Sequence, residues 1–474
     1  MVLTGRRPPR RRVAVAVTAL TSAIALGAAG CTGADRDMFR PGAADAGDPY
    51  VPGHGNGGYD VKNYHLDVRY DPATDRLTGR ATITATATQD LSRFNLDLVG
   101  LQVGAVTVNG TRAEHRRDDG ELVVTPPDGL SRGRPFTVTV DYAGVPTAVS
   151  DGALGSGGFL HTADGAVALG QPDSAATWFP VNDHPSDKAS YELAVTVPDG
   201  LSALSNGVPG PKSSADGWTT WRWSERTPMA SYLSTLVIGD YRVVTGSHAG
   251  QPMITAVAAS LPATGGAAGS LARTGEIVDF LASRFGPYPF ESYGGIVVAD
   301  DRVAYALETQ SRPVYGPAFF ADDRPNPGVV AHELAHQWFG DSVSLTRWGD
   351  IWLNEGFASY AEWLWEEHDG GRTAQRNFEL QYASTDWSQP SVEPGRERMF
   401  GAAVYKRGAL AVHALRRTVG DATFFRILHT WTTERAAGSG TTADFVALAE
   451  RVADRQLRPL FDAWLVGGAA PTLP

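Results

Sequence analysis

Cysteine is almost absent. The 474 residues contain one, Cys31, so no disulfide can close within the chain and stability rests on packing. An apolar run long enough for a permanent membrane helix is missing too. The best candidate, Val13 to Leu26, falls short of the roughly 20 residues that a span needs. There is also no surplus of positive charge. Lysine and arginine total 41 against 52 aspartates and glutamates, a net charge of −11, which argues against nucleic acid as a partner. No internal repeat divides the sequence. What is present is an ordinary globular composition, 42% hydrophobic and 20% charged, in a chain too long for one core and sized for two or three domains.

The basic residues that do exist are unevenly placed. Arg6, Arg7, Arg10, Arg11 and Arg12 precede the Val13–Leu26 apolar run, and the first thirty residues hold no acid. Without them the chain carries 36 basic against 52 acidic side chains, a net charge of −16. A positive start followed by a short apolar run is the pattern of an export signal. The small residues Ala28, Ala29 and Gly30 lead directly into Cys31. That ending resembles a bacterial lipobox, in which the cysteine is lipidated, becomes the mature N-terminus and tethers the protein to the outer face of the cell membrane. Ala28 stands where the pattern usually has Leu, and ordinary cleavage to a secreted protein is the alternative. The arginine cluster fits either a general or a twin-arginine exporter.

The organisation after residue 31 follows from composition and period. Residues 32–58, rich in Gly, Ala, Pro and Asp, read as a flexible linker. Residues 59–250 break into short alternating segments such as ATITATAT, FTVTVDYAG and YELAVTVPDG, with turn residues between them, Asn109-Gly110 included; this predicts an all-β domain. Residues 251–474 mix helix and strand. TGEIVDFLASRF is a helix ended by Gly286-Pro287, GGIVVAD is a buried strand, and helices are predicted around VYKRGALAVHALRRTVG, DATFFRILHTWTTE and TTADFVALAERVADR. The fold class predicted is multidomain α+β.

The chemistry concentrates at residues 332–336, His-Glu-Leu-Ala-His. Apolar residues at helical spacing and no proline after Pro327 make GVVAHELAHQWFGD a helix. Residues four apart share a helix face, so His332 and His336 converge on one metal ion, with Glu333 between them. A catalytic zinc takes three protein ligands and keeps one open position. Glu355, in WLNEGFASYAEW, is the third, on a second helix predicted to pack antiparallel to the first after a turn around Arg347–Asp350. Asp341, Asp350 and Asn354 are candidates to orient the imidazoles from outside.

HELAHQWFGD followed by WLNEGFA resembles the aminopeptidase N family of gluzincin zinc metallopeptidases. WFPVNDHPSDKASYELAVTVP, PMASYLSTLVIGDY, RFGPYPF, ALETQ, VYKRGALAVHALR and FDAWL resemble it in the same order. The resemblance implies a saddle-like β domain, a thermolysin-like catalytic domain at residues 251–474, one zinc ion and peptide substrates, in a short form lacking the large helical domain of many members. It matches Tyr405 to the family's transition-state stabiliser, with Arg407 where a lysine is usual. It matches Glu308 to the residue that holds the substrate's free α-ammonium, with Tyr305 and Thr309 in place of a glycine and an asparagine. Gln171 matches a second amine-binding group from the β domain.

The residue types carry the mechanism that this implies. Two imidazoles and a carboxylate around zinc make a water nucleophilic at neutral pH. Glu333 is placed to take that water's proton. Tyr405, whose phenol stays protonated, can donate to the developing oxyanion. The expected activity is removal of N-terminal residues from peptides. Endopeptidase or epoxide-hydrolase chemistry on the same zinc scaffold, and a surface binding protein without catalysis, are the alternatives.

Overall fold

The computed structural model describes residues 39–152 and 154–474. The predicted export signal, Cys31 and the first part of the predicted linker lie outside them. Among the described residues no helix is long and apolar enough to cross a membrane.

The first half is all β. Its largest sheet has nine strands, running from Val208–Pro209 through Trp218–Ala230, Lys188–Pro198, Tyr59–Asp71, Arg76–Ala87 and Pro135–Gly144 to Gln102–Val108 and Thr111–Arg112, with Ser213–Ala215 alongside Trp218–Ala230. Side chains alternate across it, as a half-buried sheet requires. Arg76–Ala87 buries Leu77, Gly79, Ala81, Ile83, Ala85 and Ala87 and turns the alternate residues outward. Asn109 and Gly110 both have positive φ, 50° and 78°, the two-residue hairpin turn that their identity predicts. A smaller five-stranded sheet contains Gly155–His161, Ala166–Leu169 and Leu236–Gly239. Its Ala166–Leu169 strand ends two residues before Gln171.

The second half is built on another five-stranded sheet, in the order Tyr241–His248, Gln251–Ala258, Tyr293–Val297, Val314–Tyr315, Ala306–Leu307. Since Tyr241–His248 pairs with Gln251–Ala258 along its whole length, the break between the halves falls near Asp240 rather than at 250. The short strand Ala306–Leu307 is an edge. The helices Thr274–Phe285 and Asp421–Glu434 have the bounds that their periodicity predicts. The Ala374–Ser384 helix was not anticipated.

Residues 39–58, expected to be part of a flexible linker, form a fitted strap instead. Val51 is fully buried, and Asp48, Tyr50 and Asn56 nearly so. The strap holds both halves. Gly55 N–H and Asn56 Nδ2 donate to Asp97 at 3.3 and 2.9 Å, while Asp48 accepts from Trp348 N–H at 2.7 Å and Tyr50 Oη accepts from Gly395 N–H at 3.0 Å. Small residues make this approach possible. A Cβ on Gly42 would stand 2.5 Å from the Gly57 carbonyl, and one on Gly58 would stand 2.6 Å from the Leu91 side chain. The composition that reads as a tether serves close backbone packing here.

Candidate active site

The His332 helix spans Pro327–His336, with Pro327 at its first turn and the Asn326 side chain accepting from Val329 N–H. The Glu355 helix spans Trp352–His368 and places Glu355 in its first turn. The two run antiparallel. Glu355 meets both histidines, while Glu362, two turns further along, meets only the earlier one, His332.

His332 Nε2 lies 3.2 Å and His336 Nε2 lies 3.4 Å from Glu355 Oε2. A tetrahedral ion with bonds of about 2.0–2.1 Å has ligand–ligand edges of about 3.3 Å, so this donor set fits zinc. The outer nitrogens are committed elsewhere. His336 Nδ1 lies 3.0 Å from the Phe339 carbonyl, which can only accept, so its proton sits on Nδ1 and the Nε2 lone pair faces the ion. His332 Nδ1 lies 2.6 Å from Glu362 Oε1 and is oriented the same way.

Asp341, Asp350 and Asn354 do not take the orienting role. Asp350 pairs with Arg347 and accepts from Thr442. Asn354 reaches toward Tyr232 Oη, and both carboxylate oxygens of Asp341 are buried without a hydrogen-bond partner. Glu362 and the Phe339 carbonyl hold the imidazoles instead. Glu362 was missed although it stands seven residues after Glu355, which is same-face spacing; a backbone carbonyl leaves no signature in sequence.

Glu333 faces the same cavity, and burial pushes its carboxyl up to about 8. Single donor atoms of Glu308, Glu333 and His336 lie within 4.8 Å of one another, so the base and the amine anchor border one space with a metal ligand. Tyr405 lies in a π-helical turn, Ala403–Arg407, its ring stacked on His332 at 6.1 Å between centroids. Burial, then the charges of Glu355, Glu308 and Glu333, keep its phenol protonated.

Two glycines set the spacing between Glu355 and Tyr405. A Cβ on Gly356 would stand 2.9 Å from the Gly408 Cα, and one on Gly408 would stand 2.8 Å from the Gly356 Cα. Each directly follows or closely follows a site residue, and a side chain on either would separate the two helices. Arg407, buried, donates to the carbonyls of Trp464, Trp387, Gln389 and Gly467. The arginine found where lysine is usual therefore latches the Tyr405 turn to the end of the chain.

Gln171 and Glu308 come together from opposite halves. Gln171 Nε2 donates to Glu308 Oε1 at 3.0 Å, and both are buried. Burial raises the Glu308 carboxyl, as expected of an acid whose charge lacks a counter-ion. Gln337, unremarked in sequence, fixes the Glu308 segment: its Nε2 donates to the Glu308 carbonyl at 3.1 Å and its Oε1 accepts from Ser311 N–H at 2.7 Å. The Thr309 hydroxyl turns away to the Arg312 carbonyl, while Tyr305 lines the cavity and donates to the Ser156 carbonyl at 2.9 Å.

His332, Glu333, His336, Glu355, Glu362, Tyr405, Glu308, Gln171 and Tyr305 border one cavity of about 370 Å³. A larger hollow, about 730 Å³, lies over the nine-stranded sheet around Arg80, Asp141 and Arg222. It brings together none of the site residues.

Comparison with known proteins agrees with this geometry. Residues 270–464 match the Peptidase family M1 domain and residues 60–233 the Peptidase M1 N-terminal domain. Aminopeptidase N of Acetobacter pasteurianus is 32% identical over 319 residues, 63% of this chain and 88% of that protein. Aminopeptidase N of Bos taurus is 36% identical over 210 residues, 41% of this chain and 22% of that much longer protein. Among solved structures, an M1 zinc metallopeptidase mutant from Deinococcus radiodurans bound to a Tyr-Ser-Ala substrate superposes with a TM-score of 0.83 at 33% identity, covering 91% of this chain and 99% of that one. A two-domain M1 zinc metallopeptidase mutant bound to L-arginine gives 0.82 at the same identity and coverage.

Proposed function

The chain belongs to peptidase family M1, and from that premise we propose that it is a zinc aminopeptidase that removes single residues from the free N-terminus of peptides. The observation that carries the exopeptidase reading is the Gln171–Glu308 pair. A buried carboxylate whose side-chain hydrogen-bond partners, Gln171 and Tyr232, are neutral leaves room for a cation, and a substrate's α-ammonium supplies it. Because Glu308, Glu333 and His336 border one space, an amine held at Glu308 leaves only the first peptide bond in reach of the reacting groups.

His332, His336 and Glu355 would hold one zinc ion, which supplies Lewis acidity to the water and to the peptide carbonyl. Glu333 accepts the attacking water's proton and returns it to the departing amine. The Tyr405 hydroxyl donates to the carbonyl oxygen as negative charge grows there. Glu362 and the Phe339 carbonyl keep the imidazoles aimed, and Gln337 keeps Glu308 in place.

The test is a set of aminoacyl amides and matched N-acetylated peptides, assayed with and without a chelator. Free amines should be cleaved, acetylated ones poorly, and the chelator should abolish both rates. Equal internal cleavage of blocked and free peptides would make the protein an endopeptidase.

We also propose that the enzyme is exported by its arginine-led N-terminal signal and held to the membrane by a lipid on Cys31. What supports this is the order of basic cluster, short apolar run, small residues and single cysteine. Cys31→Ser should release the protein from membranes or block its processing. A mature N-terminus at another residue would mean secretion without an anchor.

A further inference from the structure

Gln171 is the β-half donor that the family resemblance assigns to the amine site. A second residue of the same half, Tyr232, carries no such assignment. It lies in the short 3₁₀ turn Ser231–Leu233 and is buried, and its hydroxyl is hydrogen-bonded to the Glu308 side chain. Tyr232 lines no part of the cavity that holds the metal ligands. It therefore reaches Glu308 from within the protein, without bordering the space open to substrate.

Three neighbours fix where the hydroxyl points. The Trp348 ring packs edge-on against the Tyr232 ring, with 5.1 Å between centroids. Asn354 Nδ2 donates to Tyr232 Oη at 3.5 Å, so the oxygen receives on that side and the phenol's own proton is left for Glu308. The third neighbour is the backbone that carries Gln171. The strands Ala166–Leu169 and Leu236–Gly239 pair antiparallel, with Ala168 opposite Leu236, and this pairing sets the residues after the first strand beside those before the second. Gly170 lets the two segments touch. A Cβ there would stand 2.7 Å from the Tyr232 carbonyl oxygen and 2.9 Å from the Tyr232 Cα.

The two donors to Glu308 are thus built on one rigid corner of the β half. Both are neutral, so they satisfy a buried carboxylate without cancelling its charge. One donor leaves a carboxylate free to turn about the bond between them; two pin it.

We propose that Tyr232 is a positioning residue for the amine site: its hydroxyl, together with Gln171, holds the Glu308 carboxylate in the orientation that receives the substrate's free amine. This rests on the aminopeptidase reading. Only the oxygen is needed for the role, so Tyr232→Phe, which keeps the ring against Trp348, isolates it.

The experiment measures Kd by calorimetry for leucine hydroxamate and for its desamino analogue on zinc-loaded wild type, Tyr232→Phe, Glu308→Ala and the double variant. Both ligands carry the metal-binding hydroxamate and only the first carries an amine, so the ratio of their Kd values on one preparation reads the amine site alone. The wild type should favour the amine. Tyr232→Phe should keep its zinc and shrink that preference about tenfold, the scale of a lost hydrogen bond to a charged group, while the desamino analogue binds as before. In the Glu308→Ala background the same substitution should change the ratio by less than about twofold, because the carboxylate through which it acts is gone. A Tyr232→Phe variant that keeps the wild-type ratio, or weakens both ligands equally, overturns this inference alone and leaves Tyr232 as packing. A tenfold effect that persists without Glu308 overturns it as well, placing the action of Tyr232 on another group. A wild type that does not distinguish the two hydroxamates overturns the aminopeptidase reading, and this inference with it.

Discussion

The two ends of the cleft are made differently. At the metal end the ligands, the base and Glu362 come from two neighbouring helices within about forty residues of sequence, and each imidazole has a second partner that fixes its aim. At the amine end, Gln171 and Glu308 are 137 residues apart and meet only because the β half packs against the catalytic half. The first is a property of helix geometry. The second is a property of how two halves fit.

Removing the base should give the largest effect and should stay confined to one end. Glu333→Gln is expected to lower kcat about 10²–10⁴-fold with one zinc per chain retained, while Glu355→Ala loses metal and activity together; metal analysis beside steady-state rates separates them. If Glu333→Gln empties the site and Glu355→Ala leaves it full, the assignment of ligand and base is reversed.

At the other end, Glu308→Ala should raise KM and lower kcat for unblocked substrates, by about 10–100-fold in kcat/KM, the scale of a lost charge-assisted hydrogen bond. Zinc should remain. Acetylated peptides carry no ammonium and should lose little, so the free-to-acetylated ratio falls. An equal loss for both classes would show that Glu308 shapes the site without reading the amine.

Glu362→Ala tests whether the metal end depends on its outer contact. Zinc affinity, measured by chelator competition, should fall about 10–100-fold, and kcat at saturating zinc should change less. Unaltered affinity would leave the Phe339 carbonyl and helix packing as sufficient.

The smallest effect is on stability and lies in the β half, away from either end of the cleft. Burial, then the charge of Asp60, pushes the Asp187 carboxyl of the β half up to about 7. A carboxyl whose folded pKa is raised favours the folded state at low pH; that contribution is complete below about 4 and is lost as pH rises through about 7. The urea midpoint should therefore drop between pH 5 and pH 8, and Asp187→Asn should flatten part of the slope. A slope unchanged by the substitution would place the titration on other buried acids, of which Glu121 and Asp183 are also pushed up to about 7.

How much of this was legible in sequence follows the same division. The His332 and Glu355 helices, their antiparallel packing and the three ligands follow from spacing and a proline, because helical period is a local property. Glu308, Gln171 and Tyr405 could be matched only through resemblance to a family, since nothing local brings them together. Gly356 and Gly408 look like unremarkable glycines until their backbones are seen in contact. The break near Asp240 was placed ten residues late because Tyr241–His248 has the same alternating look as the strands before it, and only its pairing reveals which sheet it joins.

The strap extends the reach of the metal end. Asp48 accepts the Trp348 N–H from a position 300 residues earlier, in the turn Trp348–Asp350 that leads directly into the Glu355 helix. A protein trimmed to start at Tyr59, where the regular strands begin, would keep every catalytic side chain. It would also uncover Leu91 and the Asp97 carboxylate and leave the Trp348 amide without its acceptor. The safe place to shorten this enzyme from the front is therefore ahead of Arg40, where the strap's first strand pairs with Leu91–Asp97.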